Sequence, residues 1–130
     1  MKIFKITLTF LLVLFVAVAL LAKMQASDMV NHPIGERSLP RELPSDAGVD
    51  FEVVQVTSSD GYNLEGWYVP SHNGSLIIMQ HGYKYHRGSF KDEIPMFANA
   101  GYGILATTIR AHENNPGEQI TFGVEEMKDL

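Results

Sequence analysis

Apolar positions divide the chain into three stretches with different spacing. From Ile6 to Ala22 there are 17 residues without a charge, with Lys2 and Lys5 before them and Lys23 closing the run. That length lies at the short end of the roughly 17–25 residues that cross a hydrocarbon core as a helix. No face of the run is polar, which argues against a buried helix of a water-soluble core. Residues 1–22 therefore read as a transmembrane signal anchor. The alternative is a cleaved signal peptide with an apolar region from Ile6 to Val16 and Ala17-Val18-Ala19 as the small-residue site. Cleavage there would make the body a secreted protein. Lys2, Lys5 and the α-amino group outnumber Lys23, so the positive-inside rule keeps the N-terminus in the cytoplasm and the body outside the cytoplasmic membrane.

Residues 23–50 lose all periodicity. Pro33, Pro40 and Pro44, with Gly35 and Gly48, interrupt any helix or strand, so the stretch reads as a linker with His32 as a solvated loop residue. From Phe51 the pattern changes again. Phe51–Ser58 is rich in β-branched and aromatic residues, Ser59-Asp60-Gly61 is turn chemistry, and Asn63–Val69 follows, which predicts a hairpin. Leu76-Ile77-Ile78-Met79 and Tyr102–Thr107 are short apolar runs of the kind found in strands buried on both faces. Between them, Phe90, Ile94 and Phe97 fall at i, i+4 and i+7, one face of a helix that starts near Asp92 and ends near Gly101. A polar loop from Arg110 to Gln119 precedes a second helix, predicted to start near Thr121 and still to be running at Leu130. Asp92, Glu93, Glu125 and Glu126 read as solvated helix faces. The order hairpin, strand, helix, strand, helix predicts an α/β fold in which an antiparallel hairpin leads into parallel strands.

Composition narrows the chemistry. With no cysteine there is no disulfide, thiolate nucleophile or Cys-ligated zinc. Beyond Lys23, 7 basic residues face 15 acidic ones, a net charge of −8. Such a body is a poor partner for nucleic acid, where Lys and Arg must neutralise phosphates. The five histidines have no close ligand spacing, so no metal site is expected, and nothing calls for a cofactor.

The informative stretch is Met79-Gln80-His81-Gly82-Tyr83. Ligands of open α/β sheets bind beyond the carboxyl ends of the strands, and an apolar strand stopping at Gly82 places the Tyr83 N–H there. Gly82 permits close approach, and that N–H can meet a developing oxyanion.

Phe51–Leu130 resembles the opening half of the α/β-hydrolase fold, and in particular membrane-anchored relatives of serine esterases, lipases and peptidases. The match runs in order through Ser59-Asp60-Gly61-Tyr62-Asn63-Leu64, Gly66-Trp67-Tyr68, His81-Gly82-Tyr83, Gly101-Tyr102-Gly103, Arg110-Ala111-His112, Gly117-Glu118 and Thr121-Phe122-Gly123. The resemblance makes residues 51–130 the N-terminal half of a hydrolase domain, with His81, Gly82 and the Tyr83 backbone N–H as its oxyanion motif. It implies a serine hydrolase acting on a small ester or amide. Two positions depart from the pattern: Thr108 stands where an Asp usually precedes the Arg-x-His segment, and Glu113 where a Gly often follows the His.

The nucleophile of this family sits in G-x-S-x-G, and no serine of this chain has Gly at both −2 and +2. None of the triad is expected within these residues. His112 then reads as a structural loop residue, and His72 and His86 as loop residues. The expectation is a fragment of a longer enzyme, inactive alone, with Leu76–Met79 as an unpaired, apolar edge prone to association. The rival reading is a short membrane-tethered interaction module without catalysis, using that strand for β-augmentation.

Overall fold

A computed structural model describes residues 2–129. It separates into two units between Asn31 and His32. The first is a single helix, α1 (Lys2–Val30), with no buried residue. It is the one helix among the described residues long and apolar enough to cross a membrane. Its charge-free part spans about 26 Å at 1.5 Å per residue, close to a hydrocarbon core. The helix does not stop at Lys23, where the linker was expected to begin, but continues through Val30.

The second unit is a mixed α/β layer structure. Its elements are β1 (Glu52–Thr57), β2 (Asn63–Val69), β3 (Leu76–Gln80), α2 (Glu93–Asn99) and β4 (Gly103–Thr107). The predicted hairpin forms as read, with Glu52 opposite Tyr68 and Thr57 opposite Asn63. Its turn is held by Ser58, whose Oγ donates to Asp60 Oδ1 at 2.6 Å and accepts the Tyr62 N–H at 2.8 Å. Gly61 supplies a φ of +92°. The sheet order is β1-β2-β4-β3, with β2 antiparallel and β3 parallel to β4. Gly66 in β2 permits the close β2–β4 approach, because a Cβ there would lie 3.3 Å from the Ala106 carbonyl oxygen.

One face of this sheet carries the core. Trp67 and Val69, Ile104 and Ala106, and Met79 point to the same side and pack with Val49 and with Ile94 of α2. Each fully buried side chain of this size contributes about 1.5–3 kcal/mol. α2 is shorter than the apolar spacing implied. Phe90 lies in a preceding 3-10 turn (Arg87–Phe90), and Asp92 stands at the cap position without a side-chain cap bond.

Four expectations fail here. Leu76–Met79 is not buried on both faces: Met79 enters the core, while Leu76 and Ile78 are 51% and 58% exposed. A helical layer covers one side of the sheet, so the strand's alternation decides which residues are buried. The helix expected from Thr121 is a string of turns ending in a 3-10 turn (Glu126–Lys128), and Leu130 lies outside the described residues. Glu126, read as a solvated face, is buried and ties that turn together. The 23–50 segment is likewise not all solvated tether. His32 and Arg37 are buried, and Arg37 donates to the carbonyls of His32, Asn115 and Gly117.

Candidate functional site

Because β3 and β4 run parallel, their carboxyl ends lie on one edge of the sheet, and the loops following them meet there. Four non-glycine residues among those described adopt left-handed φ: Lys84, Ala111, Glu113 and Phe122. All four sit in these two loops. Such backbone costs on the order of 1–3 kcal/mol per residue and collects where a site must be shaped.

Three histidines pack at the junction. The His112 ring lies 4.7 Å from that of His81 and 5.2 Å from that of His32, centroid to centroid. His112 is fully buried. Its Nδ1–H donates to the Arg110 carbonyl at 2.8 Å, and its Nε2 accepts the Lys84 N–H at 3.0 Å. This pattern assigns a neutral ring with the proton on Nδ1. His32 Nδ1–H donates to the Ala111 carbonyl at 2.7 Å, and His81 Nδ1–H to the Gly82 carbonyl at 3.0 Å. Burial lowers the pKa of all three rings below the ordinary value of 6.5, and that of His112 to about 4. For His112 the adjoining His81 and His32 rings lower it further, because a proton on one ring would repel a proton on the next. Among the described residues, no group of three His, Cys, Asp or Glu side chains is arranged to hold a metal ion.

A buried ionic cluster fastens the loop after β3. Glu113, 3% exposed, accepts from the Thr108 hydroxyl at 2.7 Å and the Arg87 N–H at 2.9 Å, both on Oε1. Its Oε2 lies 3.2 Å from Arg87 Nε. The same guanidinium pairs with Glu65 at 3.2 Å and rests over the Trp67 ring. The two positions that depart from the family pattern thus touch each other, the Thr108 hydroxyl donating to the Glu113 carboxylate. A second hub, Arg110, binds Asp60 through two hydrogen bonds and Asp129 through its guanidinium and backbone N–H. The Arg110 hydrogen bonds hold the Asp60 carboxyl at about 2.

Between the two loops lies a cleft of about 270 Å³. It is lined by His81, Gly82, Tyr83, Ile109, Ile120 and Phe122, among others. The predicted motif residues His81, Gly82 and Tyr83 thus come together at its rim, and His112 lies on its floor. His72 is an exposed loop residue, and His86 precedes the Arg87–Phe90 turn. Sequence reading missed Glu126 and Phe122 as shaping residues, and it missed the packing of His32 and Arg37. Nothing in the local pattern of a Pro- and Gly-broken segment marks an arginine that will reach carbonyls some 80 residues away.

Comparison with solved structures identifies the scaffold. A Pyrococcus furiosus esterase, Pf2001, superposes with a TM-score of 0.63 at 31% identity, over 78% of this chain. The chain has the fold of the α/β hydrolases. Lower in identity, at 20%, are DcsB (TM-score 0.56, 62% of this chain and 29% of that one) and an epoxide hydrolase from an endophytic Streptomyces (0.51, 61% and 24%). These two add the fold alone. The chain spans 38% of the length of the Pyrococcus esterase. No family model matches the chain, and no curated protein does. The described residues contain a four-stranded sheet, and the cleft lies at the edge where open α/β sheets bind ligands.

Proposed function

We propose that this chain is the membrane-attached N-terminal portion of a serine hydrolase that cleaves a small ester or amide outside the cytoplasmic membrane. The observation that carries this reading is the junction at the carboxyl ends of β3 and β4. There His81, Gly82 and Tyr83 follow the strand directly, beside a cleft and a set of left-handed loop residues. Likeness to an esterase at 31% identity supports it. In this reading the Tyr83 backbone N–H is one oxyanion donor, worth on the order of 3 kcal/mol in the transition state. The serine nucleophile, the acid and the catalytic histidine belong to further sequence. His112 has no part as a base, because both of its ring nitrogens are committed to the backbone.

The test is a fluorophosphonate serine probe applied to membranes, followed by recovery with an antibody against residues 51–130 and an intact-mass measurement. A labelled species longer than 130 residues is expected, with the 130-residue chain itself unlabelled. Labelling of the short chain would assign it an activated serine and overturn the division of labour. No labelled species at all would remove the hydrolase. One observation favours a second reading: the exposed Leu76 and Ile78 on edge strand β3 suit a tethered module that binds a partner strand. Its mark would be an unlabelled 130-residue product recovered with a stoichiometric partner.

A further inference from the structure

Two walls from distant parts of the chain enclose a second pocket, of about 650 Å³. One wall is the segment from Arg37 to Glu42, and the other comes from the turn between His86 and Lys91. The pocket shares no lining residue with the cleft at the carboxyl ends of β3 and β4. Three contacts join its walls. The Ser38 hydroxyl donates to the Lys84 carbonyl at 3.2 Å, Lys91 pairs with Glu42 at 3.3 Å, and Gly88 seats against both His86 and Pro40. A Cβ at Gly88 would lie 2.9 Å from His86 Nδ1 and from Pro40 Cβ, so glycine is what lets the walls come this close. His86 Nδ1 is buried there without a hydrogen-bond partner, a cost that the packing of the two walls offsets.

Charge sets this pocket apart. The chain beyond Lys23 carries −8, yet among the lining residues Arg37, Arg41 and Lys91 stand against Glu42 alone, a local +2. Arg37 is a fixed charge: it is buried, and its guanidinium donates to the carbonyls of His32, Asn115 and Gly117. Arg41 is exposed, and its side chain has no hydrogen bond or ion pair among the described residues. The Lys91 and Glu42 side chains are both more than half exposed, so their pair is weak and open to exchange. One fixed cation and two that can turn towards a ligand thus share the pocket. A carboxylate leaves it with surplus positive charge, whereas a phosphate monoester, at about −1.5 to −2, balances it.

We propose that this basic pocket binds a phosphate monoester group, carried by a soluble molecule or by a lipid headgroup. The proposal does not rest on the hydrolase reading. The full 130-residue chain, held in phosphatidylcholine nanodiscs, is titrated calorimetrically with glycerol 3-phosphate, with acetate and glycerol as controls and empty discs subtracted. Saturable binding of the phosphate is expected, weakening as salt is raised, with acetate at least about fivefold weaker and glycerol not bound. Arg41→Ala and Lys91→Ala each weaken it about two- to fivefold, the worth of one exposed ion pair. Arg41 is exposed and unpaired, so its loss does not act through unfolding. Glu42→Gln removes the competing carboxylate, frees Lys91 and tightens binding. Lys128→Ala, which removes a cation outside the pocket, leaves it unchanged. No saturable phosphate binding, equal binding of acetate, no gain from Glu42→Gln, or a loss from Lys128→Ala as large as from Arg41→Ala overturns the proposal. Discs doped with phosphatidic acid or, at equal charge, with phosphatidylglycerol then separate the sources. Weaker binding of the soluble probe in the phosphatidic acid discs assigns a lipid headgroup, and equal binding in the two assigns a soluble phosphate monoester.

Discussion

His112 joins the loop after β3 to the loop after β4 through one hydrogen bond in each direction, and only its neutral form can do so. Folding holds its pKa at about 4, against 6.5 for the ordinary group. Between those values the unfolded chain takes up the proton and the folded chain does not, so stability rises with pH across that window. Stability is therefore full above about pH 6.5 and is lost as pH falls towards 4, with His81 and His32 adding in the same direction. Thermal unfolding followed from pH 7.5 to 4 should show this fall, and His112→Gln should flatten part of it. The Glu113 cluster is the second test at this scale. Removing the charge with Glu113→Gln leaves buried Arg87 with Glu65 alone and should cost about 3–5 kcal/mol. Thr108→Val should cost about 1–2 kcal/mol. Thr108→Asp combined with Glu113→Gly moves the carboxylate across a 2.7 Å hydrogen bond and relieves a φ of +48°. That double variant should recover most of the loss in urea unfolding. A double variant no better than Glu113→Gln would show that the two positions do not substitute for each other.

At the scale of elements, legibility followed the range of the forces involved. The β1–β2 hairpin was readable because Ser58, Asp60 and Gly61 build its turn from neighbouring residues. Strands β3 and β4 were readable as apolar runs, and His81, Gly82 and Tyr83 as the residues following a strand. Sequence could not show that the sheet is covered on one side, which leaves Ile78 exposed while Met79 is buried. Nor could it show the turns after Thr121. There a helix was expected, but the Glu126 carboxylate takes the N–H groups of Thr121 and Gly123 and closes a turn instead. The cluster at Glu113 was hidden for the same reason, since Glu113 and Arg87 are separated in sequence and meet only when two loops fold together. The exposed face of β3 yields a prediction of its own. Ile78→Lys places a charge on an edge strand without touching the core, so it should leave the melting temperature nearly unchanged and reduce self-association. Sedimentation of the nanodisc-free chain in mild detergent, at several protein concentrations, would show the change. Equal association of both forms would mean the contact lies elsewhere.

For the whole molecule, the decisive element is α1. It continues as a helix through Val30, but its charge-free part ends at Lys23, so the apolar length and not the helical length sets what a bilayer can hold. Lys2 and Lys5 flank one end of that run, and the nearest charge at the other is Lys23. Basic residues are retained on the cytoplasmic side, and acidic ones contribute little to orientation. On this rule we propose that the folded unit from His32 onward is delivered to the outer side. Fusing alkaline phosphatase after Asp129 should give high activity in cells, while a fluorescent protein that folds only in the cytoplasm should stay dark there. Resistance to carbonate extraction separates the anchor from the cleaved form. A product retained by membranes with Lys2 and Lys5 still present is expected, whereas a soluble product lacking residues 1–19 would show cleavage after Ala17-Val18-Ala19. Replacing Lys2 and Lys5 with Glu removes the charge that orients the helix, and phosphatase activity should drop as a fraction of the molecules inserts the other way. Unchanged activity in that variant would mean that rapid folding of the body, rather than the flanking lysines, decides which side it occupies.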